Sequence, residues 1–277
     1  MKYCWLLFPT LIFAAQDIDQ QRRFEQGMRH LKEAAAHSEN HRDREALAEL
    51  EKAYGLLPPG YELTKLLGET YFKLRDPRAA DFLEKAATLN ASEEVCLLLG
   101  QTYWRQTEFR RALVWFERAV RANPQSAEAQ FWTGYGNQLL GNSVAARGAL
   151  EKALQLGTDQ SLAKLAMGHL LAAEGKWEDA VVYLRQYSEQ RPKDVEVRLK
   201  LGQIYLDRGL HAEARAELGK ALELAADDKR VHYLLARVYT AANEAEQARQ
   251  AFATFRKLEA EEQARKRGES SPYLKRD

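Results

Sequence analysis

The chain has 277 residues, of which 45% are hydrophobic, and a formal net charge of +1 at pH 7. A charge so close to zero gives no overall field that would steer the protein towards nucleic acid or an anionic membrane. The sequence contains only seven prolines and is rich in Ala, Leu, Glu, Arg and Lys, which favours helix.

The first 15 residues are typical of a signal peptide. Lys2 is a minimal basic region, and 13 uncharged, mostly apolar residues follow it up to Ala14 and Ala15. This run is shorter than the ~20 apolar residues that a membrane-spanning helix needs. We therefore expect residues 1–15 to direct export and to be cleaved near Ala15, so that the mature protein is periplasmic or secreted and has no stable membrane span. The alternative is that this segment forms a buried first helix of the fold.

Small residues recur at a fixed interval along the rest of the chain. One series of glycines and one series of alanines both repeat at steps of 34 residues. A constant period of this size indicates a repeat array, in which each unit is one supersecondary element. The repeated positions are Gly100, Gly134, Gly168 and Gly202 in the first series, and Ala112, Ala146, Ala180, Ala214 and Ala248 in the second.

Each repeat is predicted to contain two amphipathic helices. In the clearest repeat they cover about residues 93–105 and 109–122, because apolar residues recur there at spacings of three and four. Gly100 and Ala112 are expected where the two helices approach closely. Glycine also recurs in the connecting turns, where it suits the left-handed residue that ends many helices. Because one helical pair buries too little apolar surface, neighbouring repeats are expected to stack.

The residues of these repeats resemble the tetratricopeptide repeat family. The resemblance implies an all-α protein, a right-handed α-solenoid of about seven antiparallel helix-turn-helix repeats with a C-terminal capping helix. Further matches to the family's pattern surround Gly168 and Gly202. The residues that match best are Leu99, Gly100, Tyr103, Phe109, Ala112, Phe116, Ala119 and Pro124.

The resemblance covers nearly all of the chain after its apolar start. We assign the solenoid to residues 19–259, a capping helix extension to residues 260–267 and a disordered tail to residues 268–277. The seven repeats are expected near residues 19–58, 59–91, 93–126, 127–160, 161–194, 195–228 and 229–259.

The first repeat is irregular. Gly27 and Ala46 are 19 residues apart, whereas Gly100 and Ala112 are 12 apart. Seven extra residues, placed around 36–43, must therefore lengthen a helix or bulge the turn. Their role is left open by the sequence.

No motif for catalysis or for a cofactor is present. The sequence has no Gly-rich phosphate loop and no GxSxG elbow. His37 and His41 are four residues apart, a spacing that could place two metal ligands on one helix face, but an exposed polar turn is the favoured interpretation. Basic residues surround Trp115, yet the aromatic residues there fall at repeat core positions, which disfavours stacking on nucleic acid. We expect a non-enzymatic protein with no cofactor, no metal and no nucleic-acid partner.

The resemblance also implies where a partner binds, because the first helices of such repeats line a concave groove. An alternative for Leu97, Leu165 and Leu199 is that they simply pack between neighbouring first helices. The groove positions that carry large or polar side chains are Phe72, Gln101, Trp104, Arg105, Phe131, Tyr135, Gln138, His169, Gln203, Tyr233 and Arg237.

We therefore expect a scaffold that binds a protein or peptide partner in this groove, through apolar anchors on an extended or helical segment. The set of Lys and Asn residues with which co-chaperone members hold a terminal carboxylate is missing, and Glu69 would repel one. The alternative is a structural subunit of an envelope or secretion-related assembly, self-associating through the ends or the convex face of the solenoid.

Overall fold

A computed structural model describes residues 18–157 and 161–267 of the protein. Within these ranges all regular secondary structure is helical, so the predicted all-α class is confirmed. The helices are α1 (Ile18–Glu39), α2 (Asp43–Leu56), α3 (Tyr61–Lys73), α4 (Ala79–Leu89), α5 (Glu93–Arg105), α6 (Phe109–Ala122), α7 (Ala127–Leu139), α8 (Ser143–Leu156), α9 (Ser161–Ala173), α10 (Trp177–Gln190), α11 (Val195–Asp207), α12 (His211–Leu224), α13 (Lys229–Ala241) and α14 (Ala245–Lys266).

Two of the sequence-based assignments lie outside the described residues. These are the signal peptide at residues 1–15 and the disordered tail at residues 268–277. Among the helices that are described, none combines the length and the apolar character needed to cross a membrane.

The chain divides into two compact units, Met1–Asn142 and Ser143–Asp277. In the first unit α1 packs on α2, α3 on α4 and α5 on α6, and the second helix of each pair contacts the first helix of the next, ending with α7. The second unit begins with α8 on α9 and continues with the pairs α9–α10, α11–α12 and α13–α14, joined in the same way. Each unit is therefore a stack of helical hairpins, as the period of the sequence predicts.

Glycine allows the two helices of a hairpin to approach closely. A Cβ atom at Gly68 would lie 2.6 Å from Leu83 Cγ, and a Cβ atom at Gly100 would overlap the ring of Phe116. An alanine at either position would therefore require the facing side chain or its helix to shift, as the role predicted for the recurring glycine implies. The same pairing joins Gly168 to Leu184 and Gly202 to Leu218.

The first helix of each repeat ends in the same turn. After α5, the N–H of Thr107 donates to the carbonyl of Trp104 at 3.0 Å, and the N–H of Glu108 donates to the carbonyl of Tyr103 at 2.9 Å. This pair of bonds is the Schellman motif, which places one residue in the left-handed region. The turn glycines predicted from the sequence occupy three of these positions. The left-handed residues are His41, Arg75, Thr107, Gly141, Gly175, Gly209 and Asn243.

The first hairpin corrects the register inferred from the sequence. Helix α1 has 22 residues, and the left-handed residue of its turn is His41. In α5 the close-packing glycine lies seven residues before the left-handed residue, and the same position in α1 is Ala34, which is 3% exposed. Gly27 therefore does not align with Gly100 in the repeat, although it also lies in a close contact: a Cβ atom there would be 2.5 Å from Leu57 Cγ, just after α2. The turn at residues 40–42 contains no insertion, and the additional residues extend α1 at its N-terminal end.

Tyrosine hydroxyls connect successive hairpins of the first unit. Tyr71 of α3 donates to Glu51 Oε1 of α2 at 2.5 Å, and Tyr103 of α5 forms the same bond with Glu84 of α4. A guanidinium lies over each ring, 4.4 Å and 4.0 Å from the centroid. Burial and the adjacent carboxylate raise the pKa of both hydroxyls, so they remain hydrogen-bond donors at neutral pH.

Helix α14 continues through the residues assigned to a charged cap. Lys229 Nζ of α13 lies 2.9 Å from Glu262 of α14, and Ala264 is only 1% exposed. The extension at residues 260–267 is therefore attached to α13 by an ion pair, and it contains a buried residue.

Candidate protein-binding groove

The first helices of successive hairpins lie side by side within each unit. Helix α3 contacts α5 in the first unit, and α11 contacts α13 in the second. Polar side chains bridge these helices: Lys65 of α3 pairs with Glu94 of α5, and Gln101 Nε2 of α5 donates to Glu128 Oε1 of α7 at 3.0 Å. The structure thus brings α3, α5 and α7 together on one face of the first unit, and α11 and α13 together in the second.

A cavity of about 570 Å³ opens on this face of the first unit, between α3, α5 and α7. We call it the α3–α5–α7 groove. Its volume falls within the range of ligand-binding clefts. It is lined by the apolar side chains Phe72, Leu97 and Leu98 and by the polar side chains Glu69, Lys73, Glu93, Glu94, Gln101 and Glu128.

Arg105 is held against Phe72 beside this groove. Its guanidinium carbon lies 3.7 Å from the centroid of the Phe72 ring, and Nη1 donates to the Phe72 carbonyl at 2.9 Å. The cation–π contact and the hydrogen bond fix both side chains. Phe72 is therefore presented in a defined orientation, and the charge of Arg105 is already engaged.

Glu69 places a buried carboxylate oxygen without a hydrogen bond in the groove. Its Oε1 is buried and accepts no hydrogen bond, because the Lys65 ammonium is 3.6 Å away, beyond hydrogen-bonding range. Burial raises the pKa of Glu69, since desolvation disfavours the charged carboxylate. Only 22% of this side chain is exposed, compared with 58% for Glu94. Glu69 is thus the deep carboxylate of the groove, and Glu94 belongs to its more exposed rim.

Trp104 lies inside an aromatic cluster next to the groove. Its ring centroid is 4.9 Å from that of Phe109, 5.6 Å from Trp132 and 5.1 Å from Tyr135. Tyr135 is 36% exposed and stacks on Phe131 at 5.8 Å. Of these predicted groove residues, Trp104 therefore mainly packs α5 against its neighbours, whereas Tyr135 presents an accessible ring.

Four predicted groove residues lie in the second unit, on α9, α11 and α13. His169 is half-buried, and burial lowers the pKa of its imidazole. Gln203 Nε2 donates to Asp207 at 2.9 Å, and Arg237 lies 3.6 Å from the same carboxylate. Tyr233 is 42% exposed. Gln203 and Arg237 thus share Asp207 as a partner, and Tyr233 presents an exposed aromatic ring.

Some groove residues escaped the sequence-based prediction. Glu93, Glu94 and Glu128 fall in the first turns of α5 and α7, where an acidic residue is already explained by the helix dipole. Leu97 is 8% exposed, so it both packs between first helices and lines the groove. Leu98 was also missed. Phe131 and Gln138 lie on α7 but do not line the cavity.

Within the described ranges, one group of side chains has the spacing of metal ligands. It contains neither His37 nor His41, the two histidines considered from the sequence. His41 occupies the left-handed turn position, whereas His30 lies between Glu33 and Glu49. His30 Nδ1 is 2.5 Å from Glu49 Oε2, and Lys52 Nζ donates to Glu49 Oε1 at 2.7 Å. The Lys52 ammonium thus already neutralises the charge of Glu49, the carboxylate that a metal ion would need as a ligand.

Comparison with known proteins gives a consistent result. The chain matches the tetratricopeptide repeat over residues 97–161, 140–204, 171–237 and 205–266. A curated relative, superkiller protein 3 of Schizosaccharomyces pombe, is 24% identical over 193 residues, which cover 63% of this chain and 14% of that protein. The chain thus spans a small part of the length of this relative.

Solved structures share the fold at low sequence identity. A tetratricopeptide repeat protein from Parabacteroides merdae is 18% identical, with a TM-score of 0.63 over 84% of this chain and 93% of that chain. PilW, a type IV pilus biogenesis factor, is 20% identical, with a TM-score of 0.61 over 71% and 92%. YrrB, described as having an unusual peptide-binding site, is 20% identical, with a TM-score of 0.58 over 65% and 93%.

Stacked helical hairpins whose first helices line a groove define a helical repeat protein of the class that supports protein–protein interaction. The family matches together extend from residue 97 to residue 266. The chain belongs to the tetratricopeptide repeat family.

Proposed function

We propose that this protein is a non-enzymatic scaffold that binds a polypeptide segment in the groove formed by its first helices. The α3–α5–α7 groove carries the proposal, because its apolar floor lies beside several polar side chains. Apolar pockets give a bound segment its anchors, and a few polar groups determine its orientation. Membership of a family of interaction scaffolds supports the same conclusion.

Site-specific photo-crosslinking tests this proposal. A photoreactive phenylalanine analogue in place of Gln101 lies in the groove, and the same analogue in place of Arg110 lies exposed on α6, the second helix of the same hairpin. We expect irradiation in the native cell extract to attach a discrete protein at residue 101 and not at residue 110. Equal labelling at both positions would show that the groove is not the binding surface.

We also propose that the protein acts outside the cytoplasm. The apolar run that ends at Ala15 supports this, because it has the length and small-residue ending of a signal peptide. Fractionation of cells that express the full chain or a chain without residues 1–15 tests it. We expect only the full chain in the exported fraction, and the same location for both chains would exclude a role of this segment in export.

Self-association is a second candidate function. Val114 of α6 and Val182 of α10 are 47% and 52% exposed, and each lies seven residues after the left-handed residue of its repeat. The same apolar position is therefore exposed on two second helices. Light scattering over a concentration series should then detect oligomers that Val114→Glu disrupts, whereas a monomer at all concentrations would eliminate this candidate.

A further inference from the structure

We propose that the α3–α5–α7 groove selects a basic segment, in which a Lys or Arg side chain is flanked by an apolar residue. This inference rests on the proposed function and adds the chemistry of the partner. Four glutamates and one lysine line the groove, together with Phe72, Leu97 and Leu98. Its charge and its apolar floor together define a complementary ligand.

The deep carboxylate provides the selective contact. Glu69 Oε1 is buried without a hydrogen-bond donor, although Glu69 lies beside open space in the groove. A guanidinium or ammonium group that enters the groove would donate the missing hydrogen bond and neutralise a charge that burial disfavours. An acidic segment would instead place a further anion beside Glu69, whose ion-pair partner Lys65 is already shared with Glu94.

Of the remaining carboxylates of the groove, Glu94 pairs with Lys65, whereas Glu93 and Glu128 accept hydrogen bonds from neutral donors. Asn123 Nδ2 donates to Glu93 Oε2 at 2.5 Å, and Gln101 donates to Glu128 at 3.0 Å. Amide donors orient these carboxylates without cancelling their charge. They therefore form a negative rim that attracts a basic segment and helps to determine its position.

The apolar floor determines what stands beside the basic residue. Phe72 is fixed by Arg105, and Leu97 and Leu98 lie next to it on α5. The methylene stem of a Lys or Arg side chain packs well on such a surface. A neighbouring apolar residue of the segment would cover the rest of the floor, so a purely polar basic peptide should bind more weakly.

Binding of synthetic peptides to the full chain tests the proposal. The probes are three fluorescein-labelled 12-residue peptides: one alternates Leu-Lys with Gly spacers, one replaces every Lys by Glu, and one replaces every Leu by Ser. Fluorescence anisotropy at ~0.15 M salt, where rim charges are partly screened, gives the dissociation constants. We expect the Leu-Lys peptide to bind at least about tenfold more tightly than either of the others.

Two variants assign the preference to the groove. Glu69→Gln should weaken binding of the Leu-Lys peptide about tenfold. It should not weaken binding of the Leu-Glu peptide. Glu62→Gln, on an exposed position of the same helix and outside the groove, should change neither affinity. Melting curves of both variants show whether the fold is retained.

Each outcome has a separate meaning. If the Leu-Glu peptide binds as well as the Leu-Lys peptide, or if Glu69→Gln has no effect, the basic preference is wrong. Crosslinking at residue 101 with no basic peptide bound would leave the scaffold function standing and overturn only its stated chemistry. Failure of both experiments would overturn the proposed function as well.

Discussion

Individual side chains connect the hairpins of the first unit through hydroxyl–carboxylate bonds. Tyr71 donates to Glu51, and Tyr103 donates to Glu84, each bond joining one hairpin to the next. Since the acceptor is charged, such a bond is stronger than one between neutral groups. The stacking of hairpins thus includes one directional polar contact as well as apolar packing.

Removal of one such hydroxyl should measure this contribution. We expect Tyr103→Phe to lower the free energy of unfolding by about 1 kcal/mol, below the range for fully buried charged pairs, because Glu84 is 43% exposed. The matched control is Tyr135→Phe, at a ring that is 36% exposed. Urea denaturation of both variants measures the difference, and equal losses would show that the hydroxyl of Tyr103 adds no stability.

The buried carboxylate of Glu69 has the opposite effect on stability at neutral pH. Because its pKa is raised in the folded protein, the folded state holds its proton more tightly than the unfolded state does. Stability from this group is therefore present below the unfolded pKa of about 4.5 and is lost as the pH rises through the higher folded value. We expect Glu69→Gln to raise the melting temperature at pH 7 and to have little effect at pH 4. A lower melting temperature at pH 7 would show that ion pairing with Lys65 outweighs burial.

At the scale of a single element, the turn between α5 and α6 contains a strained residue. Thr107 is β-branched, yet it has a φ of 62°, a conformation that three other repeats assign to glycine. A left-handed backbone costs a residue with a side chain roughly 1–2 kcal/mol. The turn is therefore a place where the native sequence is not optimal for stability.

Replacement by glycine should relieve this strain. We expect Thr107→Gly to raise the free energy of unfolding by about 1 kcal/mol, because glycine adopts positive φ freely. Arg118→Gly, at an exposed site in the interior of α6, should instead lower it by ~0.5–1 kcal/mol. Thermal melts compare the two variants, and destabilisation by Thr107→Gly would mean that the threonine side chain contributes more than its backbone strain costs.

The interface between the two helices of a hairpin should be equally sensitive to added volume. Ala180 of α10 is fully buried, one turn before Leu184, which packs on Gly168. We expect Ala180→Trp to destabilise the protein by at least the ~1–3 kcal/mol typical of overpacking. Asp179→Trp, at the exposed neighbouring position, is the control. Equal melting temperatures for the two would contradict the packing register.

Over the whole molecule, ion pairs should make the protein sensitive to acid. Neighbouring arginine and lysine side chains lower the pKa of Asp76, Glu174 and Asp228, and that of Glu262 to about 2. Below about pH 4.5 the unfolded chain therefore takes up protons before the folded protein does, and stability falls. We expect the melting temperature to drop between pH 6 and pH 3, and less steeply at high salt, which screens exposed pairs. A melting temperature that is independent of pH would show that these pairs do not stabilise the fold.

The helical architecture was accessible from the sequence because it rests on local periodicity. The stripe of apolar residues and the phase of Gly100 and Ala112 predicted α5 and α6 with the bounds that the structure shows. The register failed in the first hairpin, where the position equivalent to Gly100 is the buried Ala34, whereas Gly27 packs on Leu57. Alanine is common throughout helices, so its special position there could be recognised only from the turn that follows it.

The groove was less predictable, because its composition depends on contacts between repeats. Trp104 is at a groove position of its own repeat, but Trp132 and Tyr135 of α7, in the next repeat, pack against it. Glu128 has a local explanation at a helix start, and only the neighbouring Gln101 reveals its part in the groove. Such pairings require knowledge of how one hairpin lies on the next.

The tyrosine–glutamate bonds have a consequence for how this array can change in length. The hairpin of α3 and α4 contains both partners, since Tyr71 reaches back to the preceding hairpin and Glu84 receives the hydroxyl of the following one. A duplicate of this hairpin inserted beside it would present the same donor and the same acceptor at its two junctions. Gain or loss of such a module therefore leaves no orphaned polar group, and the chain can grow or shorten in whole repeats.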